Sequence, residues 1–223
     1  MERLDKLNQA STKRFWWTTL VTALGGAVVP FAWVTLAQLD AVSPQGTGLL
    51  LHSAFLSMVL LLLCLFIFLV GLVALFFQPT RRLAMACLMG ATGYVIGLLM
   101  GLNISHDIRM KAFEQLAERS MPLVTAIEKY QGAHGSLPES LNSLVPQFLP
   151  EVPATGMAAY PEYNYAKGDD AARFEGNPWV LWVFSPYGGI NFDQFIYLPL
   201  QNYPEHGYGG VLQRIGDWAY VHE

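Results

Sequence analysis

The segment Lys167-Gly-Asp-Asp170, with Glu175 and Asn177 close behind, gathers oxygen ligands of the kind that hold a hard cation. It lacks the alternating ligand spacing of an EF-hand loop, so the expectation is a solvated acidic turn, with calcium at Asp169 and Asp170 as the alternative. His52, His106, His134, His206 and His222 are scattered along the chain without the HExxH or any other zinc spacing. Ser185 follows an apolar run and precedes Pro186-Tyr187-Gly188-Gly189, which is turn chemistry and not the G-x-S-x-G elbow that exposes a nucleophile. No glycine-rich phosphate loop and no CxxC pair is present. These residues form no catalytic constellation, and neither an enzymatic activity, a cofactor nor a metal is expected. Gly93, Gly97 and Gly101 recur every four residues, a spacing that lets a second helix approach closely. Packing against other helices of the same chain is the first reading of that stripe; contact with a second copy or a membrane partner is the other.

The elements that carry these residues are set by composition. Of 223 residues, 53% are hydrophobic and only 13% charged, well below the roughly one-quarter charged fraction of soluble domains. Three apolar stretches, 15–39, 49–77 and 83–103, each exceed the roughly 20 residues a helix needs to cross a bilayer. Between Phe15 and Phe77 the only acidic residue is Asp40 and there is no Lys or Arg, so the buried ionisable groups of an ion or proton pathway are missing. His52 lies a turn from the outer end of its stretch and reads as interfacial. Arg3, Lys6, Lys13 and Arg14 precede the first stretch, the connection 41–48 has no basic residue, and Arg81 and Arg82 sit between the second and third. By the positive-inside rule the N-terminus is cytoplasmic and the chain leaves the third helix on the outer face. Residues 1–103 then form a three-helix transmembrane anchor and 104–223 an extracytoplasmic domain, periplasmic if the source is a Gram-negative bacterium. The first part holds 6 basic and 3 acidic residues and the second 7 and 14. An outer domain of net charge −7 repels phosphate backbones, which excludes nucleic acid as a partner.

Within the outer domain, Phe113, Leu116, Ser120, Val124, Ile127 and Gln131 fall at spacings of three and four and predict an amphipathic helix over 106–131, kinked or restarted at Pro122. Gly132 and Gly135 are expected to end it, and Pro138 to open a short helix over 138–144. Residues 179–184 are apolar on both faces, as in a covered central strand. Phe192, Gln194, Ile196 and Leu198 alternate with Asp193, Phe195 and Tyr197 in a second strand stopped by Pro199; 163–166 and 217–222 are candidates for two more. Glycine pairs at 188–189 and 209–210 supply turns. The fold class is therefore membrane α-helical plus α+β, one long helix packed on a small antiparallel sheet. Fifteen aromatics follow residue 159, enough to fill that core.

The run Ala126-Ile-Glu-Lys-Tyr130, then Gly132, Gly135, Leu137-Pro138, Ser140-Leu141 and Leu144-Val145-Pro146, resembles the end of the long helix and the following loop in type IV pilins and the major pseudopilins of type II secretion. The resemblance implies a membrane helix continuing into an amphipathic one with a small sheet packed upon it. The chain departs from that family in lacking a short basic leader with a Gly–Phe or Gly–Met peptidase site. It also carries two extra membrane helices, and it offers only Asp217 where the pseudopilins carry calcium-ligating acids. The resemblance and these departures together imply a pilin-like head on a permanent anchor, which binds another envelope protein as an accessory or scaffold to a secretion or pilus-type machine. A membrane-anchored sensor or small-ligand-binding domain, and an envelope immunity protein, are the alternatives. Tyr165, Asp193 and Tyr208 are the outer-domain positions expected to sample the interaction surface, beside the glycine face of Gly93, Gly97 and Gly101.

Overall fold

The computed structural model describes residues 2–187 and 191–222, without the side chains of residues 2–8, 10, 54 and 55. Three long helices come first: α1 (Glu2–Val42), α2 (Leu49–Ala74) and α3 (Arg81–His134). All three are long and apolar enough to cross a membrane. Pro122 lies inside α3 without interrupting it, so the helix does not restart there, and Gly132 is helical as well. The helix ends one residue before Gly135, whose φ of +68° is the left-handed conformation that closes a helix and that glycine adopts without a Cβ penalty. A 3-10 turn (Leu141–Leu144) replaces the helix expected over 138–144.

The sheet comprises β1 (Asn164–Lys167), β2 (Trp179–Phe184), β3 (Gln194–Tyr197), β4 (His206–Gly207), β5 (Gly210–Ile215) and β6 (Trp218–His222), with a short helix α4 (Asp169–Ala172) after β1. Its order is β1-β2-β3-β6-β5-β4, antiparallel at every pairing. The β4–β5 hairpin goes beyond the strands expected from the sequence. It turns through Tyr208 and Gly209, both at positive φ, the arrangement of a two-residue hairpin loop whose twist matches its strands. The turn expected at Gly188–Gly189 lies outside the described residues.

Contacts divide the chain into two compact units, residues 1–37 with 53–106 and residues 38–52 with 107–223. In the first unit α1 and α3 run in the same direction, because Thr22 bonds the Ala86 carbonyl (3.4 Å) and Ser105 the Val34 carbonyl (3.2 Å). The glycine stripe makes the contact. A Cβ on Gly93 would sit 2.3 Å from the Ala23 carbonyl oxygen, one on Gly97 1.9 Å from that of Ala27, and one on Gly101 3.1 Å from Phe31. The stripe is thus covered by α1 and is not open to another chain. The outward faces of the helices carry large apolar side chains, among them Val29, Leu62, Phe66 and Leu69.

In the second unit the central strands β2, β3 and β6 are covered on both faces. Trp179, Leu181, Val183, Phe195, Tyr197, Trp218 and Tyr220 point to α3 and meet Phe113, Leu116, Leu123, Val124 and Ile127. The alternate residues Val180, Ile196, Ala219 and Val221 pack under Ala171 and Leu198 on the other face. This two-sided cover is why β2 shows no polar alternation. Aromatic rings stack across strands on the helix side, Phe113 on Phe195 (4.6 Å) and Phe195 on Trp218 (4.9 Å). The segment 38–52 contributes Ala41 and Leu51 to the same core, and the Ala159 amide donates to the Ala41 carbonyl at 2.9 Å.

Candidate functional site

Two places in the second unit concentrate polar chemistry. The first is closed. Arg109 lies four residues before Phe113, on the apolar stripe of α3, and is 1% exposed. A guanidinium there requires an anion and hydrogen-bond acceptors, because an isolated buried charge is prohibitively costly. Asp193, 2% exposed, supplies the charge at 3.6 Å. The Tyr160 hydroxyl accepts from Arg109 Nη1 at 3.0 Å and donates to the Pro186 carbonyl at 2.7 Å; the Ser185 carbonyl accepts from Nη2. The Tyr220 hydroxyl donates to Asp193 Oδ2. Rings of Phe113, Tyr160, Tyr187 and Tyr220 surround the guanidinium with centroids 5.0–5.5 Å from Cζ, a cation–π enclosure.

The expectation that Asp193 samples the surface, at the polar start of a strand, is corrected. The odd positions of β3 face α3, so Asp193 turns inward to Arg109, and Phe192 is the residue left 61% exposed. The Ser185 hydroxyl, fully buried, has no hydrogen-bond partner among the described residues, so no base stands beside it there to activate a nucleophile. The cluster ties α3 to the ends of β2 and β3; it does not present a reactive group.

The second place is open. A groove of about 680 Å³ is lined by residues from the stretches 139–142, 152–154 and 161–165, among them Glu139, Glu162 and Tyr165 of β1. Tyr165 is half-buried, its hydroxyl donating to the Pro138 carbonyl at 3.3 Å, and Lys167 forms an ion pair with Glu139. Of the three positions expected to sample an interaction surface, Tyr165 alone lines this groove. Tyr208 sits in the β4–β5 turn with its ring 5.3 Å from Phe174 and its hydroxyl buried, so it presents little to a partner. Asp169 and Asp170 form the exposed first turn of α4, where Asp170 pairs with Arg173 at 3.6 Å. Asn177 is not a spare ligand. Its amide donates to the Phe174 carbonyl and to Asn202 and accepts from the Leu200 amide, all within 2.9 Å. No group of three or more His, Cys, Asp or Glu that could hold a metal occurs among the described residues.

Burial pushes the pKa of Tyr160, Tyr163, Tyr165, Tyr197, Tyr203, Tyr208 and Tyr220 above the ordinary tyrosine value, Tyr165 and Tyr208 up to about 12. For Tyr165 the charge of Glu139 adds to burial, and for Tyr220 Arg109 opposes it while Asp193 reinforces it. A folded pKa above the unfolded one favours the protonated, folded form. The stabilisation is whole below about pH 10 and is lost as pH rises through the folded values. Tyrosinate ultraviolet absorbance at about pH 11 should therefore show fewer of the ten tyrosines ionised in the folded chain than after denaturation. Equal absorbance from the two would contradict the burial described.

The comparisons with known proteins return nothing: no family model, no curated protein and no solved structure matches the chain.

Proposed function

We propose that the chain is a bacterial inner-membrane protein whose second unit is a periplasmic module for binding another envelope protein. Helices α1, α2 and α3 are the membrane spans. Their outward-facing Leu, Val and Phe side chains need a non-aqueous solvent, and the parallel course of α1 and α3 is what a first and third span require. The basic residues before α1 and at Arg81 and Arg82 favour a cytoplasmic N-terminus, leaving the acidic unit outside. The observation that carries the binding role is the contrast between the two polar places. The Arg109 cluster is closed, its charge met by Asp193, whereas the groove beside β1 is open and borders the edge strand of the sheet. The pilin-like reading rests on element order: a long helix ended by glycine, a Leu-Pro turn, then an antiparallel sheet laid back on the helix. Three spans in place of one make the unit a fixed head and not an extractable filament subunit, which suits an accessory or scaffold of a secretion or pilus-type machine.

Photo-cross-linking in living cells tests this. A photoreactive residue at the exposed positions Asn142 and Glu162 in the groove, and at Gln213 on β5, is expected to yield a dominant adduct with one envelope protein. The absence of protein adducts from all three, with the chain folded and in the membrane, would overturn the reading in favour of a small-ligand sensor.

A further inference from the structure

The phase of the β1–β2 ladder can be read from one bond. The Gly168 amide donates to the Pro178 carbonyl at 3.1 Å, and that pair continues the register in which Lys167 opposes Trp179 and Ala166 opposes Val180. In an antiparallel pair, residues that exchange hydrogen bonds alternate with residues that do not. Ala166 and Asn164 therefore turn their N–H and C=O groups to β2, and Tyr165 and Lys167 turn theirs outward. β1 is the terminal strand of the sheet, and no other described strand covers it. Among the described residues, neither Tyr165 nor Lys167 gives or receives a backbone hydrogen bond on that side. The opposite edge holds the two-residue β4, with Pro204 shortly before it, and beyond Val211 β5 has no partner strand on that side among the described residues. An open row of alternating donors and acceptors is a template for one more strand.

The groove of Glu139, Glu162 and Tyr165 runs beside this row, and its lining holds two carboxylates and no Lys or Arg. Lys167 pairs with Glu139, Glu162 has no ion pair among the described residues, and Asp169 and Asp170 follow the strand, Asp170 paired with Arg173. We propose that the edge of β1 is a strand-addition site that takes an extended, basic segment of a protein partner. The main chain of that segment pairs with Tyr165 and Lys167, and its Lys or Arg side chains are met by Glu162. The site rests on the reading of the second unit as a protein-binding module and gives it a surface and a ligand class.

The test uses the full chain in phosphatidylcholine nanodiscs, with empty discs as control, and a fluorescent peptide of alternating Val and Lys as probe. Saturable, salt-sensitive binding is expected. A Val–Glu peptide, or the Val–Lys peptide N-methylated on alternate amides facing the edge, should bind at least about tenfold more weakly. Lys167→Pro removes one outward N–H without touching the β2 ladder, and Glu162→Lys reverses the charge; each should weaken binding by at least about tenfold, while Lys167→Ala should stay within about threefold of wild type. Tryptophan fluorescence confirms that each variant is folded. No saturable binding by the folded chain, or equal binding by the N-methylated peptide, overturns the proposal. So does wild-type affinity in both Lys167→Pro and Glu162→Lys. If the peptide fails while cross-links from the groove recover an envelope protein, strand addition falls and the protein-binding reading stands. If cross-links fail from every position, that reading falls with it.

Discussion

Asp193→Ala is expected to destabilise the second unit by about 3–5 kcal/mol, since breaking a buried ion pair leaves its partner charge uncompensated. Arg109 would keep the Ser185 carbonyl, the Tyr160 hydroxyl and four aromatic faces, but no anion for a guanidinium 1% exposed. Tyr220 would lose its acceptor in the same substitution. The pair need not be stabilising relative to an apolar replacement. Arg109→Met with Asp193→Leu and Tyr220→Phe removes both charges and the orphaned hydroxyl, and should recover at least about half of the loss. Denaturant unfolding of the full chain, followed by the fluorescence of Trp179 and Trp218 in the adjoining core, reads both values. A cost under about 1 kcal/mol for Asp193→Ala would mean that the guanidinium is hydrated and the enclosure is not closed as described.

Gly97→Val is the second large effect and falls in the first unit. Its Cβ would lie 1.9 Å from the Ala27 carbonyl oxygen and 2.7 Å from the Ala27 Cα. These are backbone atoms and cannot swing aside, so α1 and α3 must separate. A loss of about 3 kcal/mol or more is expected, at the upper end of overpacking costs, because the close approach of the two helices is disturbed along the whole stripe. Gly25→Ala is the matched control: nothing lies within 4 Å of its Cβ, and the change should stay within about 0.5 kcal/mol of wild type. Unfolding in mixed micelles measures both. Equal stability of the two variants would show that α1 does not lie on the stripe.

How much of this the sequence discloses depends on how local the signal is. β2 is legible to the residue because a strand covered on both faces is a continuous apolar run, and β1 and β6 are legible to within a residue. β5 is not, since Gln213 and Arg214 face solvent and an exposed strand near a sheet edge reads as loop. The glycine stripe discloses a helix contact without naming which helix. The Arg109–Asp193 pair is half-legible. An arginine four residues before Phe113 on an apolar stripe announces that a carboxylate must come to it, but nothing local identifies one 84 residues away. The polarity of Asp193 points to the surface, whereas its place is set by the parity of β3.

The fifteen residues 38–52 have a bearing on the order in which the protein is made. Ala41 and Leu51 leave the ribosome more than a hundred residues before Met157, Tyr160, Trp179 and Trp218, with which they share a core. That core therefore cannot close until the last strand, β6, has been synthesised, and it is built from contacts of long sequence separation, the kind that slow folding. The consequence for anyone cutting the chain is direct. A fragment beginning at residue 107 retains every strand but lacks two core side chains and the acceptor of the Ala159 amide, and it would expose apolar surface where the segment belongs.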